Sequence, residues 1–261
     1  RPDYDRCQKP GKPGAGEIFL LGDSHAQHLL PMLNLLTTRT GQRLTFSNKP
    51  SCFLDPSLTL ELNQRPYQPC TDFAVGEMAR AIERLKPGDI VVISSNIHNY
   101  LASVHGIGSQ VESSARLGGN QINISEMRLA HQASMRAYAL LLQKRGIQLV
   151  LVVDNPPLSQ DVVFCPPGSP RSCAFDPATT AARQQVIRSV LNQVASGLAN
   201  VHIFDPTQEL LDANGKVRYR NSEGTILYSD SHHLSVTGSR SLAEPFERFL
   251  VQSGLIPAPS R

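Results

Sequence analysis

The stretch Ile18-Phe19-Leu20-Leu21-Gly22-Asp23-Ser24-His25 decides how this chain is read. Four apolar residues run into a glycine, then an acid, a serine and the start of a helical pattern. A short apolar run bounded by a turn signal is a buried strand. A glycine at its end permits a tight turn, and a serine two residues on sits at the first turn of the next helix. There its hydroxyl meets free backbone N–H groups and the positive end of the helix dipole, which favour a developing negative charge. The bland alternative is that Ser24 is simply the helix N-cap, a common use of serine.

The far end of the chain weighs against that alternative. Asp230-Ser231-His232-His233 carries an Asp-x-x-His pair. With the histidine three positions after the acid, a carboxylate can reach one imidazole nitrogen while the other faces outward. A serine hydroxyl is a weak nucleophile near neutral pH. An imidazole held in one tautomer by a carboxylate takes its proton and activates it. Ser24 is therefore the expected nucleophile, His233 the base and Asp230 its orienting acid, with His232 ranked below His233 as base. An isolated Asp-x-x-His is more often two surface histidines in a loop; it gains meaning only with Ser24.

Between these ends, apolar strands alternate with helical patterns. Strands are expected at Ile18–Leu21, Arg43–Ser47, Asp89–Ser94, Ile147–Val153 and Val201–Phe204. Helices are expected over Ser24–Leu36, Ala74–Leu85, Asn123–Arg145, Ala178–Leu198 and Ser235–Val251. Pro31 should kink or shorten the first and Pro245 should bend the last. Asn123 with Glu126 reads as a capping box, and Gly146 as a stop. Near-continuous apolar strands alternating with helices predict an α/β fold: a three-layer α/β/α sandwich around a mainly parallel five-stranded sheet. Such sheets bind ligands at the carboxyl ends of their strands. Three long irregular insertions, 49–72, 97–122 and 155–176, all follow strands and should gather at that edge. Residues 1–16, with Pro2, Pro10 and Pro13, read as a linker or surface arm, 17–255 as one domain and 256–261 as a tail.

The bulk properties exclude several classes. In 261 residues the net charge is +3, with no basic run to suggest nucleic acid. No stretch of eighteen apolar residues occurs and no signal peptide is visible, so the chain, beginning at Arg1, reads as an excised domain of a longer exported protein. Tryptophan is absent. Of five cysteines, Cys52 and Cys70 bracket one irregular loop and Cys165 and Cys173 another, without zinc-site spacing or a Cys-x-x-Cys. Pairs closing such loops read as disulfides of an oxidising compartment, each contributing about 2–4 kcal/mol. Cys7 is left over, to pair outside this chain.

Secondary candidates cluster after the third strand, in Ser94-Ser95-Asn96-Ile97-His98-Asn99-Tyr100. The Asn96 amide is a candidate oxyanion donor beside the Ser24 backbone N–H, or else only starts a turn. His98 and Tyr100, together with His25, are candidate substrate contacts on the wall of the site. His28 reads as a helix-face residue, and His105, His131 and His202 show no constellation. No residues are assigned to a metal or a bound cofactor.

Gly22-Asp23-Ser24-His25 and Asp230-x-x-His233 resemble the first and last blocks of the SGNH (GDSL-like) hydrolase superfamily. With the cysteines and the Asp-x-x-His-Leu-Ser ending, they are similar to one branch, the extracytoplasmic SGNH domain fused to membrane acyltransferase-3 proteins. The likeness runs from residue 17 to 250, but its strong motifs cover few positions. The superfamily's second-block glycine is missing between Arg43 and Leu54, and Asn96 lacks the glycine and aspartate usual around it. The resemblance implies an O-acetyltransferase domain acting on a bacterial cell-surface glycan, such as the O-antigen of lipopolysaccharide. It implies a periplasmic or outer-face location, a polysaccharide acceptor and a membrane acyltransferase partner delivering acetyl groups that derive from acetyl-CoA. A carbohydrate acetylesterase and a non-catalytic glycan-binding domain are the alternatives within the fold. Asp23-x-His25 also resembles the first motif of metal phosphoesterases, whose later motifs are missing.

Overall fold

The computed structural model describes residues 5–62, 65–102, 115–165 and 173–258. Strand β2 (Glu17–Gly22) is central, and leads into helix α1 (Ser24–Thr40) and strand β3 (Arg43–Asn48). Further along lie β6 (Ile90–Ser94), β9 (Gln148–Val152) and β10 (Val201–Phe204). With β1 (Asp5–Lys9) at the edge, the sheet order is β1-β3-β2-β6-β9-β10. All five strands from β3 to β10 are parallel, and β1 pairs antiparallel to β3. The segment expected as a linker or surface arm thus supplies a sixth strand. Its polar residues hid it, but charge on an edge strand is what discourages further pairing.

Every residue of β2 is buried. Alternate side chains point to opposite faces, and the two cores divide accordingly. Phe19, Leu21, Val91, Ile93, Leu149 and Leu151 pack under α2 (Gln68–Arg84), α4 (Ile124–Lys144) and α5 (Pro177–Ala195). Ile18, Leu20, Ile90, Val92, Val150 and Val152 pack under α1 and the C-terminal helices α6 (Val236–Ser241) and α7 (Ala243–Gln252). This is the expected three-layer sandwich.

Helix α4 starts with the reciprocal Asn123–Glu126 capping box, as its sequence predicts. Helix α1 runs through Pro31 to Thr40 rather than ending early. The Met32 amide donates to the Ser239 hydroxyl at 3.1 Å, which ties α1 to α6. The last helical stretch divides at Leu242, and Pro245 lies in the first turn of α7.

The insertions are less irregular than their composition suggests. From the first come β4 (Leu58–Leu62) and β5 (Arg65–Pro66), and from the second α3 (Ile97–Leu101), β7 (Ala115–Leu117) and β8 (Asn120–Ile122). The four strands make a small antiparallel sheet, β5-β4-β7-β8. Cys52–Cys70 and Cys165–Cys173 are disulfides, and Cys7 is exposed and in neither. No described helix is long and apolar enough to cross a membrane. His105 and residues 259–261 lie outside the described residues.

Gly22 fixes how β2 meets β6. It pairs with Ser94 and has φ +152°. A Cβ there would stand 1.7 Å from the Ser94 carbonyl oxygen. Gly22→Ala is therefore expected to cost at least ~3 kcal/mol, because backbone rather than a flexible side chain must move. Urea unfolding measures this, and an unchanged midpoint would contradict the register.

Candidate active site

Asp23, not Ser24, caps α1. Its Oδ1 accepts the His25 amide at 2.8 Å. Its Oδ2 accepts the Asn96 amide at 2.9 Å, binding the elbow after β2 to the end of β6. The bland role for serine is thereby filled by its neighbour, and the Ser24 hydroxyl is left for other work. Ser24 remains partly exposed at the carboxyl edge of the sheet.

The hydroxyl meets the C-terminal motif. Ser24 Oγ lies 2.8 Å from His233 Nε2. His233 Nδ1 lies 2.6 Å from Asp230 Oδ2. Asp230 Oδ1 accepts the amides of His232 and His233 at 2.8 and 2.7 Å. A carboxylate accepting at Nδ1 selects the tautomer with its lone pair on Nε2, facing the hydroxyl. Burial alone would raise the Asp230 pKa, but the His233 ring and the two amides hold it well below the usual carboxylate range.

The turn carrying these residues is held from several sides. The Tyr228 hydroxyl donates to the Pro156 carbonyl at 2.8 Å, and Asn155 Nδ2 to the His232 carbonyl at 2.9 Å. The Ser235 hydroxyl caps α6 through the Gly238 amide at 3.1 Å. A Cβ on Gly238 would stand 2.0 Å from the Leu227 carbonyl oxygen, so only glycine lets α6 sit this close to the turn.

The two donors expected for an oxyanion are the Ser24 amide and the Asn96 side chain. The Ser24 amide makes no hydrogen bond among the described residues, so it is available at the head of α1. The Asn96 amide is taken by Asp23, and its side-chain oxygen caps α3 by accepting the Asn99 amide at 3.1 Å. Its Nδ2 makes no hydrogen bond among the described residues.

The three expected substrate contacts lie inside the protein instead. His25 is 1% exposed, with Nδ1 2.5 Å from Asp154 Oδ1 and Nε2 3.1 Å from His232 Nδ1. His98 is 7% exposed and its Nε2 meets Gln184 Oε1 at 3.0 Å. Tyr100 is 6% exposed and stacks on Phe53, ring centroids 4.9 Å apart. For His98 and Tyr100 the cause is α3, which turns inward directly after β6 and buries Ile97, His98, Tyr100 and Leu101, whereas His25 is buried on α1.

Sequence reasoning missed Asp154 and Asn155. They follow β9 at the same sheet edge, so a polar pair ending the buried run Leu149–Val153 was the available signal. Asp154 accepts from the His25 ring and, at 3.3 Å, from the His98 amide.

The chain matches the SGNH domain family (fused to AT3 domains) over residues 1–248. It belongs to that family. No curated protein matches it. Among solved structures it is similar to the periplasmic domain of a lipopolysaccharide acetyltransferase from Salmonella ser. Paratyphi A. The TM-score is 0.58 at 13% identity, covering 92% of this chain and 85% of that one. A Slackia heliotrinireducens protein described as an SGNH hydrolase gives 0.51 at 13% identity, covering 91% and 100%. A Bacteroides fragilis NCTC 9343 protein described as an acylhydrolase gives 0.51 at 10%, covering 95% and 91%. At such identities the likeness is one of fold. It agrees with the parallel sheet and the elbow after its central strand.

Buried titratable groups under the SGNH site predict an unusual acid response. Burial pushes Asp154 up from 3.8 to about 6 and His98 down from 6.5 to about 4. Asp154 contributes stability at low pH that is lost as pH rises through about 6. His98 contributes stability above its unfolded value of 6.5 that is lost as pH falls towards about 4. The two offset each other across that window. Burial also lowers His25, with the same sign as His98. Asp154→Asn removes the opposing carboxyl and should steepen the loss of stability between about pH 6.5 and 4.5. The added slope approaches about 1.4 kcal/mol per pH unit. Urea midpoints at the two pH values test this; a slope no steeper than the parent's would contradict it.

Proposed function

We propose that this SGNH domain is an extracytoplasmic O-acetyltransferase that carries an acetyl group on Ser24. The single observation behind the reading is the line Ser24–His233–Asp230, at 2.8 and 2.6 Å, on a chain whose family is fused to AT3 domains. In the first half-reaction Ser24 Oγ attacks the donor's acetyl carbonyl and its proton passes to His233 Nε2. The oxyanion forms against the Ser24 amide and Asn96 Nδ2. As it collapses, His233 returns the proton to the leaving group and the acetyl-serine ester remains. In the second half-reaction a glycan hydroxyl gives its proton to His233 and attacks the ester, and Ser24 leaves with that proton.

The donor in this proposal is supplied by a membrane AT3 partner drawing ultimately on acetyl-CoA. The acceptor is a hydroxyl of a bacterial cell-surface polysaccharide such as lipopolysaccharide O-antigen. A periplasmic or outer-face location fits the two disulfides, which persist where the milieu is oxidising. One observation favours some hydrolysis beside transfer: the His233 and Asp230 side chains are 24% and 35% exposed. Water can therefore reach the acyl-serine whenever no sugar covers it.

A chromogenic acetyl ester supplies a donor without the membrane partner. Ser24→Ala should abolish turnover, and Asp230→Asn should lower it by about 10²–10⁴-fold through loss of the tautomer. A Ser24→Ala protein as active as the parent would end the proposal. Adding acetyl-free O-antigen oligosaccharide should divert acetyl from water to sugar, seen as acetylated product by mass spectrometry. Release to water alone, whatever the acceptor, would make the domain an acetylesterase.

A further inference from the structure

The base of the triad stands in a cluster of imidazoles larger than the triad needs. One ring nitrogen each of His25, His232 and His233 lies within 4.8 Å of the others. The His25 and His232 rings are nearly parallel, 10° apart, with centroids at 5.3 Å. His232 and His233 have centroids at 4.1 Å. Two of the three rings are braced from behind by a carboxylate: Asp154 at 2.5 Å from His25 Nδ1 and Asp230 at 2.6 Å from His233 Nδ1. A carboxylate on the far nitrogen is how metal-binding histidines are commonly oriented and made more basic. For Asp230 the triad already explains the arrangement. For the buried Asp154–His25 pair it does not.

Geometry favours a soft-to-borderline divalent ion. With both Nδ1 atoms on carboxylates, His25 and His233 present Nε2 lone pairs, the first to His232 and the second to the Ser24 hydroxyl. His232 turns Nδ1 towards His25 Nε2 at 3.1 Å. Two imidazole nitrogens at about 2.0–2.1 Å from one tetrahedral zinc ion sit roughly 3.3 Å apart. That pair is therefore close to zinc spacing as it stands. His28, whose Nδ1 accepts the Leu234 amide at 3.4 Å, is otherwise engaged.

We propose that His25, His232 and His233 form an inhibitory site for a divalent transition-metal ion of the zinc type. Binding draws His233 off the Ser24 hydroxyl and halts acyl transfer. The ion takes the place of the proton shared by His25 and His232; that proton moves to Nε2 of His232, so all three rings bind as neutral donors. The fourth position is left to water. The inhibitory half rests on His233 being the base for Ser24; the binding half does not.

The test uses the unaltered chain and Zn²⁺ itself. Competition with a chromophoric zinc indicator should find one ion per chain, and His232→Ala should weaken it at least about tenfold. Anomalous diffraction at the zinc edge, from crystals of the unaltered chain grown with zinc, should give one peak between the three rings. This measurement holds even if the variant fails to fold. Labelling of Ser24 by a fluorophosphonate should slow with zinc and recover with a chelator. No peak between the rings, or undiminished affinity in a folded His232→Ala, would overturn the site. Zinc bound with labelling unchanged would overturn the inhibition. A chain that binds zinc there but never labels at Ser24 would also end the inhibitory half, and that failure would belong to the acyl-transfer reading.

Discussion

The contact of the Gly22 backbone against the Ser94 carbonyl is the constraint on which the site depends. With no side chain at residue 22, β2 and β6 stay in register to their last pair, and the chain turns out of the sheet at once. Asp23 then holds both sides of the turn, with one oxygen on the head of α1 and the other on the amide that follows β6. Burial pushes its carboxyl up to about 7, against the pull of those two amides. Hydrogen bonds to a charged acceptor are worth about 1.5–3 kcal/mol each, which offsets part of that burial. Ser24 gains its position because its neighbours do the structural work.

The other half of the site is a loop, and a loop must be held by what it touches. Three connections from the segment after β9 reach the turn at 228–233: the Pro156 carbonyl, the Asn155 amide and the Leu158 amide, the last donating to the Ser231 carbonyl at 2.7 Å. From the other side, Ser235 bonds both Gly238 and the Ile226 carbonyl. His233 is thus fixed by the carboxyl edge of the same sheet that presents Ser24. Residues 209 positions apart meet without a domain interface between them.

The strands were legible because a parallel sheet covered on both faces writes itself as apolar runs, and Ile18–Leu21, Ile90–Ile93 and Leu149–Val152 are unmistakable. The meeting of Ser24 with Asp230-x-x-His233 was legible because the chemistry expected of them restricts residue type and local spacing. What was not legible depended on tertiary direction. Nothing local says that α3 folds inward and takes His98 and Tyr100 with it, or that the ring of His25 points away from the solvent. Strand β1 was hidden by charge, and the small sheet of β4, β5, β7 and β8 by pairing between distant insertions. Asp154 was overlooked because a lone acid after a strand has many uses until its partner, 129 residues away, is known.

In the proposed reaction Ser24 is acylated with His233 as its base. Brief incubation with an activated acetyl ester, acid quench and peptide mass spectrometry would test it directly. One added acetyl group is expected on the peptide containing Ser24, formed by the parent and not by His233→Ala. An acetyl group found elsewhere, or formed on Ser24 as fast without His233, would contradict it.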